Sequence, residues 1–197
     1  MPQPLPLVLA STSPYRRQLL QRLGLPFDVC APQVDETPLP GEPPPQRAAR
    51  LAAAKAQAVA ALLPQALVIG SDQVASLGDG PEARILRKPG NRDRCLAQLA
   101  ELSGRTARFD TAVCLCWPGG QAAYTDITRV VLRPLYSAEI ERYVQQEPAF
   151  DCAGGFKCEG LGISLMQRIE STDPTALIGL PLIWLSSAIR AAGLWIP

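Results

Sequence analysis

The chain opens with a short apolar block, Leu5–Ala10, which predicts a buried strand. Ser13 and Pro14 follow as an N-cap and a first helical residue. Leu19, Leu20 and Leu23 supply that helix's apolar face, and Gly24 ends it. Phe27–Ala31 predicts a second short strand. Six of the 20 prolines lie between Pro32 and Pro45, so that segment reads as a loop, and it carries Asp35-Glu36. An Ala-rich helix is predicted over Gln46–Leu63, stopped by Pro64. Ala66–Ile69 predicts a strand that breaks at Gly70-Ser71-Asp72. A helix over Asn91–Leu102 takes Asn91 as its cap. Ala107–Trp117 and Gln121–Leu132 are β-prone runs joined across Pro118-Gly119-Gly120, a hairpin signal. Helices over Ser137–Gln146, capped by Ser137, and over Pro181–Ala192 complete the pattern. Strand–helix alternation followed by a long hairpin predicts an α/β fold with a mixed sheet flanked by helices. The hairpin and the helix after it would form a second lobe.

Composition narrows the chemistry. A chain of 197 residues predicts one domain, spanning 1–197. Hydrophobic residues at 47% and charged residues at 19% are those of a globular protein. With 19 basic against 18 acidic residues there is no bulk field for nucleic acid or an anionic membrane, and neither is expected as a partner. There is no histidine, which excludes Ser-His-Asp and Cys-His catalysis, histidine bases and every histidine-ligated metal site. Carboxylates, Lys, Arg, hydroxyls, thiols or a carboxylate-bound metal must do the work. Cys30, Cys95, Cys114, Cys116, Cys152 and Cys158 form no Cys-x-x-Cys pair and read as thiols packed like small apolar residues. No run resembles a signal peptide or reaches the roughly 20 apolar residues that span a bilayer, so a cytoplasmic protein is expected.

Among the basic residues only Lys55, Lys88 and Lys157 are lysine; the other 16 are arginine. A lysine kept against such a bias suggests a site where a compact point charge matters. Ser11-Thr12-Ser13-Pro14-Tyr15-Arg16-Arg17 brings free backbone N–H groups, hydroxyls and guanidinium groups to one helix N-terminus. That arrangement suits a phosphate, and it equally suits an ordinary capped helix. Asp72 follows an apolar strand, where α/β sheets place ligand chemistry. Asp35-Glu36 offers metal-binding oxygens or is a solvated loop tip. Lys55 is the only charge between Arg50 and Asp72, so it reads as having a buried partner or ligand. Two glycine steps around Lys157 and Glu159 allow close backbone approach to a flat ligand. The run from Asp173-Pro174 to Leu180-Pro181 reads first as a structural lead into the last helix.

In order along the chain, Ser11-Thr12-Ser13-Pro14-x-Arg16, Asp35-Glu36-Thr37, Lys55-Ala56, Ser71-Asp72-Gln73, Lys88-Pro89 and Asp173-Pro174 to Leu180-Pro181 resemble the Maf family of nucleoside triphosphate pyrophosphatases. The resemblance covers nearly the whole chain and lies in the ordered set rather than in any one motif. It implies a Maf/inosine-triphosphatase-like α/β fold with a cleft between two lobes and a divalent metal, Mg²⁺ or Mn²⁺. It also implies a nucleoside triphosphate substrate and a homodimer. Asp72 matches the family's proton acceptor. Ser11, Arg16, Glu36, Lys55 and Lys88 match its phosphate and metal site, with Ser13 beside them and Glu36 and Asp72 as the metal carboxylates.

Tyr15, Gln73 and Glu159 resemble the specificity positions of the family's 7-methyl-GTP pyrophosphatases. Methylation at N7 makes guanine cationic, which an aromatic face attracts, and Glu159 can accept from guanine N1–H and its amine. The alternatives are a dTTP/UTP pyrophosphatase of the same family and a non-catalytic nucleotide-binding regulator of cell division. Three departures stand out: Gly155 in place of a Ser, Asp110 in place of an aromatic residue or His, and a long stretch over Ser76–Arg87.

Overall fold

The computed structural model describes residues 5–78, 80 and 82–196. In chain order these form β1 (Leu7–Ala10), α1 (Pro14–Gln21), β2 (Asp28–Val29), α2 (Pro44–Leu62), β3 (Leu67–Leu77), β4 (Arg84–Leu86) and α3 (Arg92–Leu102). There follow β5 (Thr106–Trp117), β6 (Gly120–Leu132), α4 (Ser137–Gln146), β7 (Met166–Glu170) and α5 (Leu182–Ala191). Two 3₁₀ turns, Leu161–Leu165 and Ala176–Ile178, link the later elements. The strands lie in one mixed sheet of order β2-β1-β3-β5-β6-β7, with β4 also on β3. β1 runs parallel to β2 and β3, and every other pair is antiparallel.

The twofold alternation of β3 divides the interior. Leu67 and Ile69 face a core built with α1 and α5, around Leu19, Leu20, Leu180 and Leu185. Ala75 and Leu77, on the same face further along, enter a second core with α3 and α4, around Leu99, Leu102, Phe109 and Ile140. β3 and β5 run through both cores as their shared spine. On the opposite face, Val68, Gly70 and Val74 meet α2 through Ala48, Ala52, Ala56 and Val59. Small residues four apart on α2 let the helix lie close to the sheet.

β5 holds one edge of β3 from Val68 to Leu77. The other edge is shared: β1 pairs with Leu67–Gly70 and β4 with Ala75–Leu77. Between them, residues 71–74 have no strand on this edge among the described residues. β1 and β4 point their C-terminal ends into this gap from opposite sides.

Several sequence expectations are corrected. β3 does not break at Gly70 but continues through Asp72 to Leu77, because β5 pairs along its whole length. Gly70 is a close-approach residue: a Cβ there would lie 2.9 Å from Ala56 Cα and nearer still to the Ala52 carbonyl oxygen and the Ala56 amide. Phe27–Ala31 contracts to the exposed edge pair Asp28–Val29. α2 starts earlier, at Pro44, since proline suits a first turn. α4 is capped from Tyr136, whose N–H donates to Glu139 at 2.9 Å, and Ser137 lies inside the helix. The short β4 and the polar, exposed β7 were not anticipated. β4 lies in the stretch Ser76–Arg87, of which Asp79 and Pro81 fall outside the described residues.

Ser13 and Asn91 do cap α1 and α3, accepting from Arg16 and Arg94 N–H. Asp173 is the structural lead into α5: it is buried and accepts from Thr175 N–H and Oγ1 and from Ile183 N–H. The six cysteines are free; Cys95, Cys114 and Cys116 are buried and the other three are half-buried. Among the described residues, no helix is long and apolar enough to cross a membrane.

Gly70→Ala would force α2 off β3. Overpacking of this kind costs about 1–3 kcal/mol, which in a chain of this size lowers the unfolding midpoint by roughly 3–10 °C. Thermal melts by circular dichroism would read it; an unchanged midpoint would mean that α2 does not rest on Gly70.

Candidate active site

The gap beside β3 is the floor of a cleft of about 800 Å³. Its walls are the β1–α1 turn, the cleft-facing side of α2, the Glu36 loop, the segment after β4, the 151–159 loop and the Ile178–Gly179 turn. Lys55, Lys88 and Lys157 all line it.

Asp72 stands in the middle of the gap and, by strand alternation, faces α2. There Lys55 Nζ meets its Oδ1 at 2.6 Å and Glu36 Oε1 at 2.8 Å. Lys55 is 7% exposed and Asp72 8%, so the pair is buried, whereas the Glu36 carboxylate is exposed at the cleft mouth. This is the buried partner expected for the lone charge on that stretch of α2. Burial works against the charge on Glu36. The Lys55 hydrogen bond and charge, with Arg16 and Lys88 further off, nonetheless hold its carboxyl below the usual range. Two carboxylates from different elements thus converge on one point. Hard oxygen donors of this kind suit Mg²⁺ or Mn²⁺. Among the described residues, no group of three or more acids or thiols is placed to hold a metal ion. A cation held by only two carboxylates takes the rest of its shell from other oxygen ligands such as water or phosphate, as Mg²⁺ commonly does.

The chain leaves β1 at Ser11, whose buried Oγ accepts from Ser13 N–H at 3.1 Å. Ser13 Oγ in turn caps α1. α1 then delivers Arg16, whose Nε donates to the Gly179 carbonyl at 3.0 Å. Burial lowers the Arg16 pKa, and the charges of Asp72 and Glu36 oppose that shift. Ser71 Oγ donates to the same Gly179 oxygen at 2.9 Å. Gly179 sits at φ +128°, a conformation open to glycine, with Arg16 Nε 3.4 Å from where a Cβ would be. Gln73 points to the face opposite Asp72. Its Nε2 donates to Thr111 Oγ1 and to the Ala176 and Leu177 carbonyls at 2.9–3.1 Å, so its amide is engaged in holding the 176–179 turn.

Tyr15 and Glu159 also line the cleft. The Tyr15 hydroxyl donates to Asp151 at 3.0 Å, and Lys157 Nζ lies 5.7 Å over the centre of the Tyr15 ring. The ring face read as a seat for a cationic base therefore already carries a cation. Burial, then Cys152 and Asp151, push the Tyr15 phenol well up, so it remains a donor. Asp151 goes down despite burial, through the Tyr15 hydroxyl, Cys152 and Lys157. Glu159 is exposed at the mouth, with Cys158 Sγ 3.4 Å from its Oε2. α4 anchors this loop: Tyr143 accepts from Lys157 N–H at 3.1 Å and Glu147 from Gly162 N–H at 3.0 Å. Lys88 is exposed at the end of β4 and lines the cleft.

Two of the departures have local reasons. Gly155 has φ +75°, and a Cβ there would be 3.0 Å from Cys95 Sγ, so serine would be strained. Asp110 is fully buried and paired with Arg108 at 2.7 Å. Sequence reasoning singled out neither Asp151 nor Arg47. Asp151 carried no signal beyond its place in the glycine-rich loop. Arg47 sits eight residues before Lys55, on the same helical face, and that spacing was the available sign.

A model described as "Maf-like protein" matches residues 6–192. A protein of Xanthomonas oryzae pv. oryzae (strain MAFF 311018) named 7-methyl-GTP pyrophosphatase is 59% identical over 191 residues, 97% of this chain and 98% of its own length. One of the same name from Xanthomonas campestris pv. campestris (strain 8004) is 56% identical over 192 residues, with the same coverage. Another, from Polaromonas sp. (strain JS666 / ATCC BAA-500), is 55% identical over 95% of this chain and 85% of its own. With nearly its whole length matched, the chain belongs to the Maf family.

Proposed function

We propose that this protein hydrolyses 7-methyl-GTP to 7-methyl-GMP and pyrophosphate. The observation that carries the reading is the Asp72–Lys55–Glu36 cluster in the open gap of β3. Tyr15, Asp151 and Glu159 line the same cleft and add an aromatic ring and two acids to it. The shared name of relatives at 55–59% identity supports the choice of substrate. A cytoplasmic setting and a homodimer belong to the same reading.

Water attacks the α-phosphorus: a new P–O bond forms, the bond to the bridging oxygen breaks, and pyrophosphate leaves. Asp72 takes the proton from the water. Lys55 holds Asp72 in place through its 2.6 Å contact and, with Arg16 and Lys88, meets phosphate oxygens. Ser11 and Ser13 shape the β1–α1 turn that faces those oxygens. Glu36 and Asp72 would hold Mg²⁺ or Mn²⁺. When bound, such a cation neutralises charge that builds on the phosphate oxygens. Gln73 acts from the opposite face by fixing the 176–179 turn, and with it the Gly179 carbonyl that orients Arg16.

The methylated base is cationic and stacks on Tyr15, in the field of Asp151 and Glu159. The Lys157 ammonium over this ring supports a cationic occupant, and a base on that face takes the place of the ammonium. Glu159 accepts from the guanine N1–H and amine, a pair of donors that uracil and thymine lack.

Asp72→Asn should lower turnover by about 10²–10⁴-fold with nucleotide binding retained. Pyrophosphate release and equilibrium binding check this; more than about a tenth of wild-type activity would remove Asp72 as the base. Glu36→Gln should regain part of its lost rate as the metal concentration is raised, and rates independent of metal would take Glu36 out of the metal site. In a competition between 7-methyl-GTP, GTP, dTTP and UTP, the wild type should favour the methylated nucleotide. Tyr15→Arg and Glu159→Gln should lose that preference. A wild type that favours dTTP or UTP would move the protein to that specificity, and one that binds nucleotide without turnover would make it a regulator.

A further inference from the structure

α2 presents Arg47, Leu51 and Lys55 to the cleft at intervals of four residues. Eight residues at 1.5 Å each place Arg47 about 12 Å along the helix axis from Lys55. Its surroundings are unusual for a guanidinium. Nε is buried and has no hydrogen-bond partner. Nη2 reaches the Glu36 carbonyl oxygen at 3.4 Å, the outer limit of a hydrogen bond. Arg47 makes no ion pair among the described residues. The nearby acid on the same loop, Glu42, gives both its oxygens to Arg50, at 2.5 and 2.8 Å. One arginine of this helix turn is therefore saturated by a carboxylate, while the other, which lines the cleft, keeps a buried Nε without an acceptor. A buried charged donor without an acceptor is costly, and an anion arriving in the cleft relieves it.

We propose that Arg47 is a further substrate-binding residue, which grips the two terminal phosphates that leave as pyrophosphate. The inference rests on the pyrophosphatase reading of the cleft. Asp72 and Lys55 mark the α-phosphorus, and Tyr15 and Glu159 mark the base. Arg47 lies further along α2, against the Glu36 loop, whose described cleft-lining residues are Pro32, Glu36 and Pro38, none of them an aromatic ring. The triphosphate then extends from Lys55 along α2 towards Arg47. Its Nε and Nη2 edge matches two oxygens of one phosphate, a match a lysine cannot make. Because Nη2 also touches the Glu36 carbonyl, the same side chain ties the metal-side loop to the departing group.

Product inhibition separates this role from a purely structural one. At one fixed divalent-metal concentration, Arg47→Gln should raise the inhibition constant of pyrophosphate and the KM of the nucleotide by roughly tenfold or more. The inhibition constant of 7-methyl-GMP should change by less than about twofold, since the monophosphate does not reach Arg47. Arg47→Lys keeps the charge without the two-toothed edge and should fall between; it also serves as the test if the Gln variant melts early. Equal weakening of both inhibitors, or no change in either, overturns the proposal and leaves Arg47 as a tie for the loop. If the wild type turns over a different nucleotide, the same comparison with that nucleotide's monophosphate decides the role of Arg47 independently. If it turns over none, calorimetry with pyrophosphate on wild type and Arg47→Gln does so.

Discussion

The site depends on an edge of β3 that two strands share without meeting. β1 stops at Ala10 and β4 at Leu86, and each leaves its last residues heading into the space between them. A strand with one covered edge and one open stretch is rigid and accessible together. β5 fixes the backbone of Ser71–Val74 from behind, and the open stretch admits a ligand to side chains on both faces. Alternation then assigns roles. Asp72 falls towards α2 and its lysine, and Gln73 falls towards the 176–179 turn. A one-residue slip of β3 would exchange them and dismantle both sets of contacts. Full pairing with β5 over ten positions is what prevents it.

The charges in the cleft are arranged so that the protein is stable before a ligand arrives. A lysine buried this far would be costly alone. Lys55 is offset by two carboxylates from two other elements, and its ammonium draws the Glu36 loop onto the sheet. Arg16 is oriented by a carbonyl that Ser71 also reaches, so the 176–179 turn, α1 and β3 share one oxygen. Tyr15 and Asp151 form a further balanced group with Lys157 above the ring. Arg47 stands apart from these matched sets, and that contrast is what gives it a functional reading.

Much of this was legible in the sequence because it rests on local rules. Ser13, Pro14 and Asn91 announce their helices through capping geometry. The Pro118-Gly119 turn is set by the left-handed φ of Gly119, +86°. Lys55 stood out as a lone charge on an apolar helix face, and its partner followed. What could not be read is non-local. The continuation of β3 past Gly70 depends on pairing with a strand more than thirty residues away, and the glycine that reads as a breaker is there for α2. β7 has a polar, exposed sequence and becomes a strand because the edge of β6 is available to it. Gln73 lines the cleft beside Asp72, but its contacts to Thr111 and to the Ala176 and Leu177 carbonyls join residues 38 to 104 positions apart and could not be read from the order of residues. Lys157 was singled out, but nothing in the order of residues could place it over a tyrosine 142 positions earlier.

The split between lysine and arginine in the cleft follows from what each position must do. Lys55 must meet carboxylates from a strand and from a loop with a single atom. Three donors around one nitrogen do this from any approach, where a planar fork would have to choose one acceptor plane. Lys157 sits over a ring, with Asp151 and Tyr15 beside it, and a compact ammonium on a flexible stem can leave that seat when a ligand takes it. Arg16 and Arg47 have the opposite task. Each uses one nitrogen on a backbone carbonyl, at Gly179 and at Glu36, which fixes the plane of a rigid fork beside the cleft. The carbonyl sets the plane and the fork supplies the grip. In a chain whose basic residues are 16 arginines and three lysines, Lys55 and Lys157 therefore fall where a point charge serves better than a plane.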